Sequence, residues 1–169
     1  MLKYTNAEVV FREIPDEITL AINISGCPNH CKGCHSPHLW DNIGEDLTPN
    51  ILVSLIKQHP ECTCVCLMGG DQDPDEVMHL IDSAKTTIYV QGYKQPLRFG
   101  WYSGRYTIPN NWQQLDYLKL GPYIAEKGPL DSPQTNQILF QVKGSVYSPS
   151  LVNITSKFWI KAHDSESCD

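Results

Sequence analysis

The chain has 169 residues, a hydrophobic content of 41% and a formal net charge of −6. Its length is typical of one globular domain, and its acidic balance argues against a nucleic-acid-binding surface. No apolar run approaches the roughly 20 residues that a membrane-spanning helix needs. The N-terminus also lacks the charged-then-apolar pattern of a signal peptide. We therefore expect a cytoplasmic protein that binds neither nucleic acid nor membrane.

Two β-like segments open the chain. Apolar side chains alternate with polar or small ones over residues 18–24, which predicts a strand. Residues 8–14 form the other β-like segment, and Pro15-Asp16 favours a turn between the two. The strand at residues 18–24 runs directly into a cysteine-rich loop.

Two helices are predicted in the middle of the chain. Thr48 suits the N-cap of the first helix and Pro49 its first helical position. Asp73 begins the second helix as the N-cap of a capping box with Glu76, and Gly92 suits its C-terminal cap. The predicted apolar faces are Ile51, Leu52, Leu55 and Ile56 in the first helix and Val77, Leu80, Ile81 and Ala84 in the second.

Further strands are predicted between and after the helices, at residues 62–68, 97–102, 117–120, 138–142 and 151–154. The turn Gly69-Gly70-Asp71 ends the first of these strands, and Ser103-Gly104 ends the second. The alternation of strands and helices predicts βα units, and therefore an α/β fold with a largely parallel sheet. Ligand sites in such folds gather in the loops after the carboxyl ends of the strands, where the cysteine loop and both turns lie.

The cysteine loop contains Cys27, Cys31 and Cys34 in the spacing C-x3-C-x2-C. In a reducing compartment, cysteines serve metal or redox chemistry more often than disulfides. A closed zinc site or a closed iron–sulfur cluster takes four ligands, so three thiolates leave one coordination position open. Two closed sites remain possible on this spacing: structural zinc or a closed [4Fe–4S] cluster. The fourth ligand would be His30, His35 or His38 for zinc, and Cys62, Cys64, Cys66 or Cys168 for the cluster.

Cys62, Cys64 and Cys66 alternate along one predicted strand, so we expect their side chains on one face. Free cysteine packs as a small buried hydrophobe. Core packing is therefore the favoured interpretation of these three residues over a second metal site.

The chain resembles the radical S-adenosylmethionine (radical SAM) superfamily, and most closely its branch of activating enzymes for anaerobic ribonucleotide reductase. The similarity extends from about residue 25 to residue 137, and the small size of the chain also fits that branch. The residues that carry it are SGCPNHCKGCHSPHLW (25–40), MGGDQDP (68–74), YSG (102–104), LKLGPYI (118–124) and PLDSPQTNQ (129–137).

This resemblance implies that Cys27, Cys31 and Cys34 hold three irons of a [4Fe–4S] cluster, and that the fourth iron binds the methionine moiety of SAM. Reduction of the cluster would cleave the sulfonium bond, and the resulting 5′-deoxyadenosyl radical would take a hydrogen atom from a glycine of the partner. Gly69 and Gly70 would let SAM approach the backbone, with amide groups facing it. Two protein partners are implied: this partner, which is the large subunit of the anaerobic reductase and a glycyl radical enzyme, and a flavodoxin- or ferredoxin-like electron donor.

The chain departs from the superfamily pattern in three ways. The family's glycine-rich segment before the first strand is not evident. The usual Gly-Gly-Glu-Pro turn has the shorter acid Asp71, with proline two residues later, so Asp71 and Asp73 both qualify to bind the SAM ammonium. Asp71 is favoured because Asp73 already serves as a helix cap. Gly33 stands before the third cysteine, where an aromatic residue is common, and would offer only its backbone to the adenine.

Weaker signals surround this site. Ser103 and Gly104 would line the ribose or methionine side of SAM, or form only the turn that ends the strand. His35 and His38 would tune the cluster from beyond its ligands. Asn136 and Gln137 would either contact the partner or turn the chain. Lys119 is predicted to be exposed, the commoner situation for a lysine on a strand.

We accordingly expect one radical SAM domain over residues 1–169, built as a partial open (βα) barrel. Its core would cover residues 18–137, and residues 138–169 would form short strands and a polar tail. Two alternatives remain: a radical SAM enzyme acting on a small molecule or another protein, and a non-catalytic zinc or iron–sulfur module.

Overall fold

The computed structural model of the protein describes residues 1–93, 95–145 and 147–159. Within these ranges, eight strands form one open sheet in the order β3-β1-β2-β4-β5-β6-β7-β8. The strands are β1 (Lys3–Val10), β2 (Thr19–Ile24), β3 (Glu45–Asp46), β4 (Cys64–Met68), β5 (Arg98–Tyr102), β6 (Tyr117–Leu120), β7 (Ile138–Ser145) and β8 (Ser148–Asn153). The predicted polar tail and Cys168 lie outside the described residues.

The sheet is mixed, so the expectation of a largely parallel sheet was wrong. Strands β2, β4, β5 and β6 form a parallel block, whereas β1 and β3 on one side and β7 and β8 on the other pair antiparallel. The physical reason lies in the connections. Parallel neighbours need a long crossover, and the short links from β1 to β2 and from β7 to β8 permit only antiparallel pairing. The predicted partial open (βα) barrel stays a prediction.

Both predicted helices are confirmed. Helix α1 (Pro49–Gln58) begins after Thr48, whose side chain accepts a hydrogen bond from the Ile51 N–H at 3.3 Å. Helix α2 (Pro74–Val90) begins after Asp73, which accepts from the Glu76 N–H at 3.1 Å. Neither α-helix of the described residues has the length and apolar character required to cross a membrane.

The two helices cover one face of the sheet. Val77, Leu80, Ile81 and Ala84, the predicted face of α2, are all fully buried there. In α1 the stripe is shifted by one residue from the prediction, because Val53 is buried with Leu52 and Ile56 while Ile51 and Leu55 are only partly buried.

The opposite face of the sheet, here called the inner face, has a smaller core. Cys64 and Cys66 are fully buried in it beside Tyr117 and Leu139. Cys62 precedes β4 and is buried in the core on the helix side instead. The predicted core packing of the three cysteines is therefore confirmed, but their placement on one face was wrong, since the strand begins only at Cys64.

The connector between β1 and β2 (residues 11–18) covers part of the inner face. Ile14 is fully buried against the core of that face, and the Tyr102 hydroxyl donates a hydrogen bond to the Glu13 carbonyl. At the amino edge of the parallel strands, the buried carboxylate of Glu17 accepts from the Tyr117 hydroxyl at 2.6 Å and also binds Arg98. These contacts hold the connector against the sheet, so that it forms one wall of the cavity described below.

Candidate metal and ligand site

A row of side chains crosses the inner face at the carboxyl ends of the parallel strands. Asn23 pairs with Met68, Met68 with Tyr102, and Tyr102 with Lys119, one residue from each of the four strands. All four residues line a cavity of about 910 Å³. Strand register alone thus places the cavity at the edge of the sheet where the sequence predicted a site.

The cysteine loop forms the rim of this cavity. Its two ends are tied together, because Gly26 donates an N–H to the Asp41 carbonyl at 3.1 Å and Cys27 donates to Leu39 at 2.9 Å. Within the loop, the Cys34 N–H donates to the Cys31 carbonyl at 3.0 Å. Backbone hydrogen bonds within the loop therefore determine its shape, and the loop follows β2 directly in the sequence.

Cys27, Cys31 and Cys34 all line the cavity, and all three are free, partly exposed thiols. Burial raises the pKa of the Cys27 thiol, N–H groups of Asn29 oppose this shift, and the charge of Asp71 adds to it. Because thiolates are the usual ligands of iron–sulfur clusters, this donor set fits such a group. The two remaining features of the cavity are a carboxylate from the turn after β4 and a buried ammonium from strand β6.

The bound carboxylate belongs to Asp71, which is only 4% exposed. Its Oδ1 accepts from the Ser103 hydroxyl at 2.6 Å. Its Oδ2 accepts from the Gly104 N–H at 2.8 Å and from the Asn29 amide at 2.5 Å. Asp71 therefore joins the cysteine loop to the turns that follow β4 and β5, a structural role that its sequence position did not reveal.

The two glycines before Asp71 are required by the turn itself. Both have positive φ angles, +100° at Gly69 and +88° at Gly70. Gly69 lines the cavity, but it donates its N–H to the Tyr102 carbonyl at 2.9 Å. The expectation that this amide faces a ligand was therefore wrong: it closes the turn against the neighbouring strand.

Four further predicted positions differ in their relation to the cavity. Gly104 lines it, whereas Ser103 is fully buried and bonded to Asp71, so the predicted contact of Ser103 with a ligand stays a prediction. Gly33 is exposed, and a Cβ added there would come within 3.6 Å of the Tyr123 ring. Gln137 is buried and lines the cavity.

Lys119 was predicted to be exposed, and this was wrong. It is 9% exposed and faces the cavity, where its ammonium donates to the Gly121 carbonyl at 2.8 Å. Burial lowers its pKa to about 8, and the nearby negative groups Asp71, Cys31, Cys66 and Cys27 oppose that shift. The site therefore has a buried cation opposite a buried carboxylate.

Histidines of the cysteine loop stack on aromatic rings. His30 stacks on Trp40 with the ring centroids 4.9 Å apart, and His35 packs at a tilt against Tyr123 at 5.0 Å. His38 is exposed in a short 3-10 helix, Pro37–Trp40. Among the described residues, no group of three or more His, Cys, Asp or Glu side chains is placed to hold a single metal ion.

Sequence reasoning missed several residues of the cavity. Asn29 lies inside the cysteine motif, but asparagine is not among the residues considered as ligands of an iron–sulfur cluster or of zinc. Tyr102 had been assigned to a strand and to the YSG motif but to no role in the site, although the register places it beside Lys119. Arg12 and Glu13 come from the β1–β2 connector. Burial raises the pKa of Glu13, the nearby Glu8 adds to the rise, and Lys119 opposes it. No sequence pattern pointed to this connector, because its role depends on folding back over the inner face.

Comparison with known proteins is informative for the first part of the chain. Residues 18–96 match the family model described as a 4Fe-4S single cluster domain. Neither curated proteins nor solved structures gave a match. The matched range includes the cysteine loop and the Gly69-Gly70-Asp71 turn, and it supports the assignment of a [4Fe–4S] cluster and metal binding to residues 18–96.

Proposed function

We propose that the chain is a radical SAM activase that binds a [4Fe–4S] cluster through Cys27, Cys31 and Cys34 and binds SAM in the adjoining cavity. The observation that carries the proposal is the meeting of three free thiols with a buried cation and a carboxylate on one cavity. A cluster with three protein thiolates keeps one iron available to another ligand. A structural site, by contrast, fills its coordination positions with protein groups.

The charged groups of the cavity suit the methionine moiety of SAM, which carries one carboxylate and one ammonium. The Lys119 ammonium would bind that carboxylate. A carboxylate has about four acceptor positions, and three protein donors bind Asp71. One position of Asp71 therefore remains to accept a hydrogen bond from the SAM ammonium.

The chain itself contributes binding, orientation and exclusion of water. When bound, the cluster supplies the electron that cleaves the sulfonium bond of SAM. Met68 and Tyr102 lie between Asn23 and Lys119 in the row across the strands and line the cavity, where they would exclude water from a bound ligand. The row that begins at Asn23 thus forms the floor against which SAM is oriented.

The target that we propose is a glycine of the large subunit of anaerobic ribonucleotide reductase, with electrons from a flavodoxin- or ferredoxin-like donor. This step rests on the resemblance of the five motifs to that branch. The cavity volume of about 910 Å³ supports it, since it lies near the upper end of the range for small-molecule sites. Such a volume suits a site that admits a segment of a second protein beside its cofactor.

The first test is anaerobic reconstitution with iron and sulfide, followed by reduction in the presence of SAM. We expect a brown protein that produces 5′-deoxyadenosine. Cys31→Ala should lose the cluster and the cleavage together, whereas Cys62→Ala should keep both because Cys62 is buried in the helix-side core. A colourless protein with one tightly bound zinc, or full cleavage by Cys31→Ala, would contradict the proposal.

The second test addresses the target. The reduced, cluster-loaded chain is mixed with SAM and the reductase large subunit, and electron paramagnetic resonance is recorded. We expect a glycyl radical on the large subunit, and none when its radical-site glycine is replaced by alanine. Cleavage of SAM without any radical on the reductase would instead indicate a radical SAM enzyme with another substrate.

A further inference from the structure

Asn29 lies in the cysteine loop between the first two cysteines, and its side chain connects two groups of the site. Its Nδ2 is 2.5 Å from Asp71 Oδ2 and 3.7 Å from Cys27 Sγ. The first contact crosses from the cysteine loop to the turn after β4, and the second stays within the loop. The Asn29 amide group is therefore a hydrogen-bond donor to both Cys27 and Asp71.

The chemistry of the carboxamide matches this arrangement. An asparagine amide nitrogen carries two hydrogens, and each of its two neighbours, a carboxylate and a sulfur, is an acceptor. The orientation with nitrogen toward both is the one that satisfies both acceptors. A neutral donor placed between a carboxylate and a thiolate also offsets the repulsion between two like charges.

The turn after β5 leaves room for this contact. A Cβ added at Gly104 would lie 2.3 Å from Asn29 Nδ2, so any side chain at position 104 would displace the amide. The N–H of Gly104 binds the same Asp71 oxygen at 2.8 Å. The local backbone is thus arranged around the Asn29 amide and holds it in place.

We propose that Asn29 is a positioning residue that holds the Cys27 sulfur for iron–sulfur ligation and links the cysteine loop to Asp71. The inference rests on the iron–sulfur part of the proposed function and not on SAM cleavage. Hydrogen bonds to cluster sulfurs contribute to the reduction potential, since a donor stabilises the more negative, reduced state. Loss of partners beyond the ligands typically lowers metal affinity by about 10–100-fold.

The test uses the full chain, reconstituted anaerobically with iron and sulfide, and three variants of position 29. Asn29→Ala removes the donor, Asn29→Asp replaces it with an acceptor of the same shape, and Asn29→Gln keeps the carboxamide. Asn42→Asp is the matched control, because it makes the same chemical change on an exposed side chain. The measurements are the midpoint potential of the cluster, followed by electron paramagnetic resonance, and the rate of iron release to a chelator.

We expect the midpoint potential to fall in the order wild type, Asn29→Ala, Asn29→Asp, and iron release to accelerate about 10-fold or more. Asn29→Gln should lie closer to wild type than Asn29→Ala, and Asn42→Asp should match wild type. A purely structural role would change iron release without this ordered shift in potential. If Asn29→Ala retains no cluster, the midpoint potentials of Asn29→Gln and Asn29→Asp distinguish the proposed positioning role of Asn29 from a purely structural role.

Equal potentials and release rates in wild type, Asn29→Ala and Asn29→Asp would overturn the inference, as would a wild-type chain that takes up no cluster. A cluster-loaded wild type that cleaves no SAM would overturn the proposed activase function alone. SAM cleavage together with an unchanged potential in the Asn29 variants would overturn this inference alone.

Discussion

The indole nitrogen of Trp101 donates a hydrogen bond to the carbonyl oxygen of Gly69 at 2.7 Å. Trp101 is a core residue of β5 with 1% exposure, packed on the helix side of the sheet. Gly69 belongs to the turn that lines the cavity. The packing of the core is therefore connected directly to the shape of the ligand site.

Trp101→Phe tests this connection. Phenylalanine keeps an aromatic ring but leaves the Gly69 carbonyl without its donor, so we expect a loss of about 1–3 kcal/mol in the free energy of unfolding. The measurement is urea unfolding of the metal-free chain. Trp159→Phe is the control, since its indole donates to the Leu130 carbonyl at 3.0 Å from a more exposed position. Equal losses in both variants would contradict the special role of Trp101.

Gly70 is expected to tolerate no side chain. A Cβ there would lie 2.5 Å from Val77 Cγ2 and would also require φ near +88°. Gly92 has a φ of +72° and nothing within 4 Å, so Gly92→Ala measures the backbone strain alone, about 1–2 kcal/mol. Gly70→Ala should add about 1–3 kcal/mol for the overlap.

A double mutant separates these two costs at Gly70. Val77→Ala removes the atom that a Cβ at position 70 would meet, so it should relieve part of the damage caused by Gly70→Ala. The readout is the coupling energy from urea unfolding of the two single variants and the double variant. Strict additivity would show that overlap with Val77 is not the cause.

The local sequence was sufficient to predict both helices and most strands. Thr48 and Asp73 are capping residues whose hydrogen bonds need only their own helix, which explains why both starts were located to the residue. The alternation at residues 18–24 likewise depends on neighbours in sequence. The register between strands depends instead on residues that are distant in sequence. The sheet is mixed because the chain reverses direction between neighbouring strands on either side of the parallel block.

The site was predicted in outline only. Its cysteines and its Gly-Gly-Asp turn belong to short motifs, so they were recognisable in the sequence. Lys119 looked like an ordinary strand lysine, because its burial is caused by Tyr102, Gly121 and the rest of the cavity wall. The roles of Asn29 and Glu13 depend on contacts between residues distant in sequence, 42 positions apart for Asn29 with Asp71 and 89 for Glu13 with Tyr102. Composition and periodicity do not encode such contacts.

Arg98 is expected to stabilise the fold by neutralising Glu17, whose side chain is 1% exposed. Arg98→Met would leave that carboxylate with hydroxyl donors only, so we expect a loss of about 1–3 kcal/mol near neutral pH. Lys157→Met removes an exposed pair with Asp16, 2.6 Å long, and should cost about 0–1 kcal/mol. Thermal or urea unfolding of the two variants gives the comparison. A larger loss for Lys157→Met would contradict the assignment.

Lys119 should make the stability of the metal-free chain depend on pH above neutrality. Its pKa is lowered to about 8 in the fold, mainly by burial, whereas an unfolded lysine titrates near 10.4. Between these two values the unfolded chain binds more protons than the folded chain. The free energy of unfolding therefore rises with pH in this window, by at most about 1.4 kcal/mol per pH unit. Below the window both states are protonated, and the cost of burying the charge is constant.

Lys119→Met isolates this contribution. The variant loses donors to the Gly121 and Ser103 carbonyls, a loss that does not vary with pH. The difference in unfolding free energy between wild type and Lys119→Met should therefore increase in favour of wild type from about pH 8 to about pH 10. Urea unfolding at several pH values measures it, with Lys57→Met, at an exposed position of α1, as the control for net charge. Parallel profiles for wild type and Lys119→Met would mean that the ammonium is not desolvated in the cavity, and would remove the buried cation from the proposed SAM site.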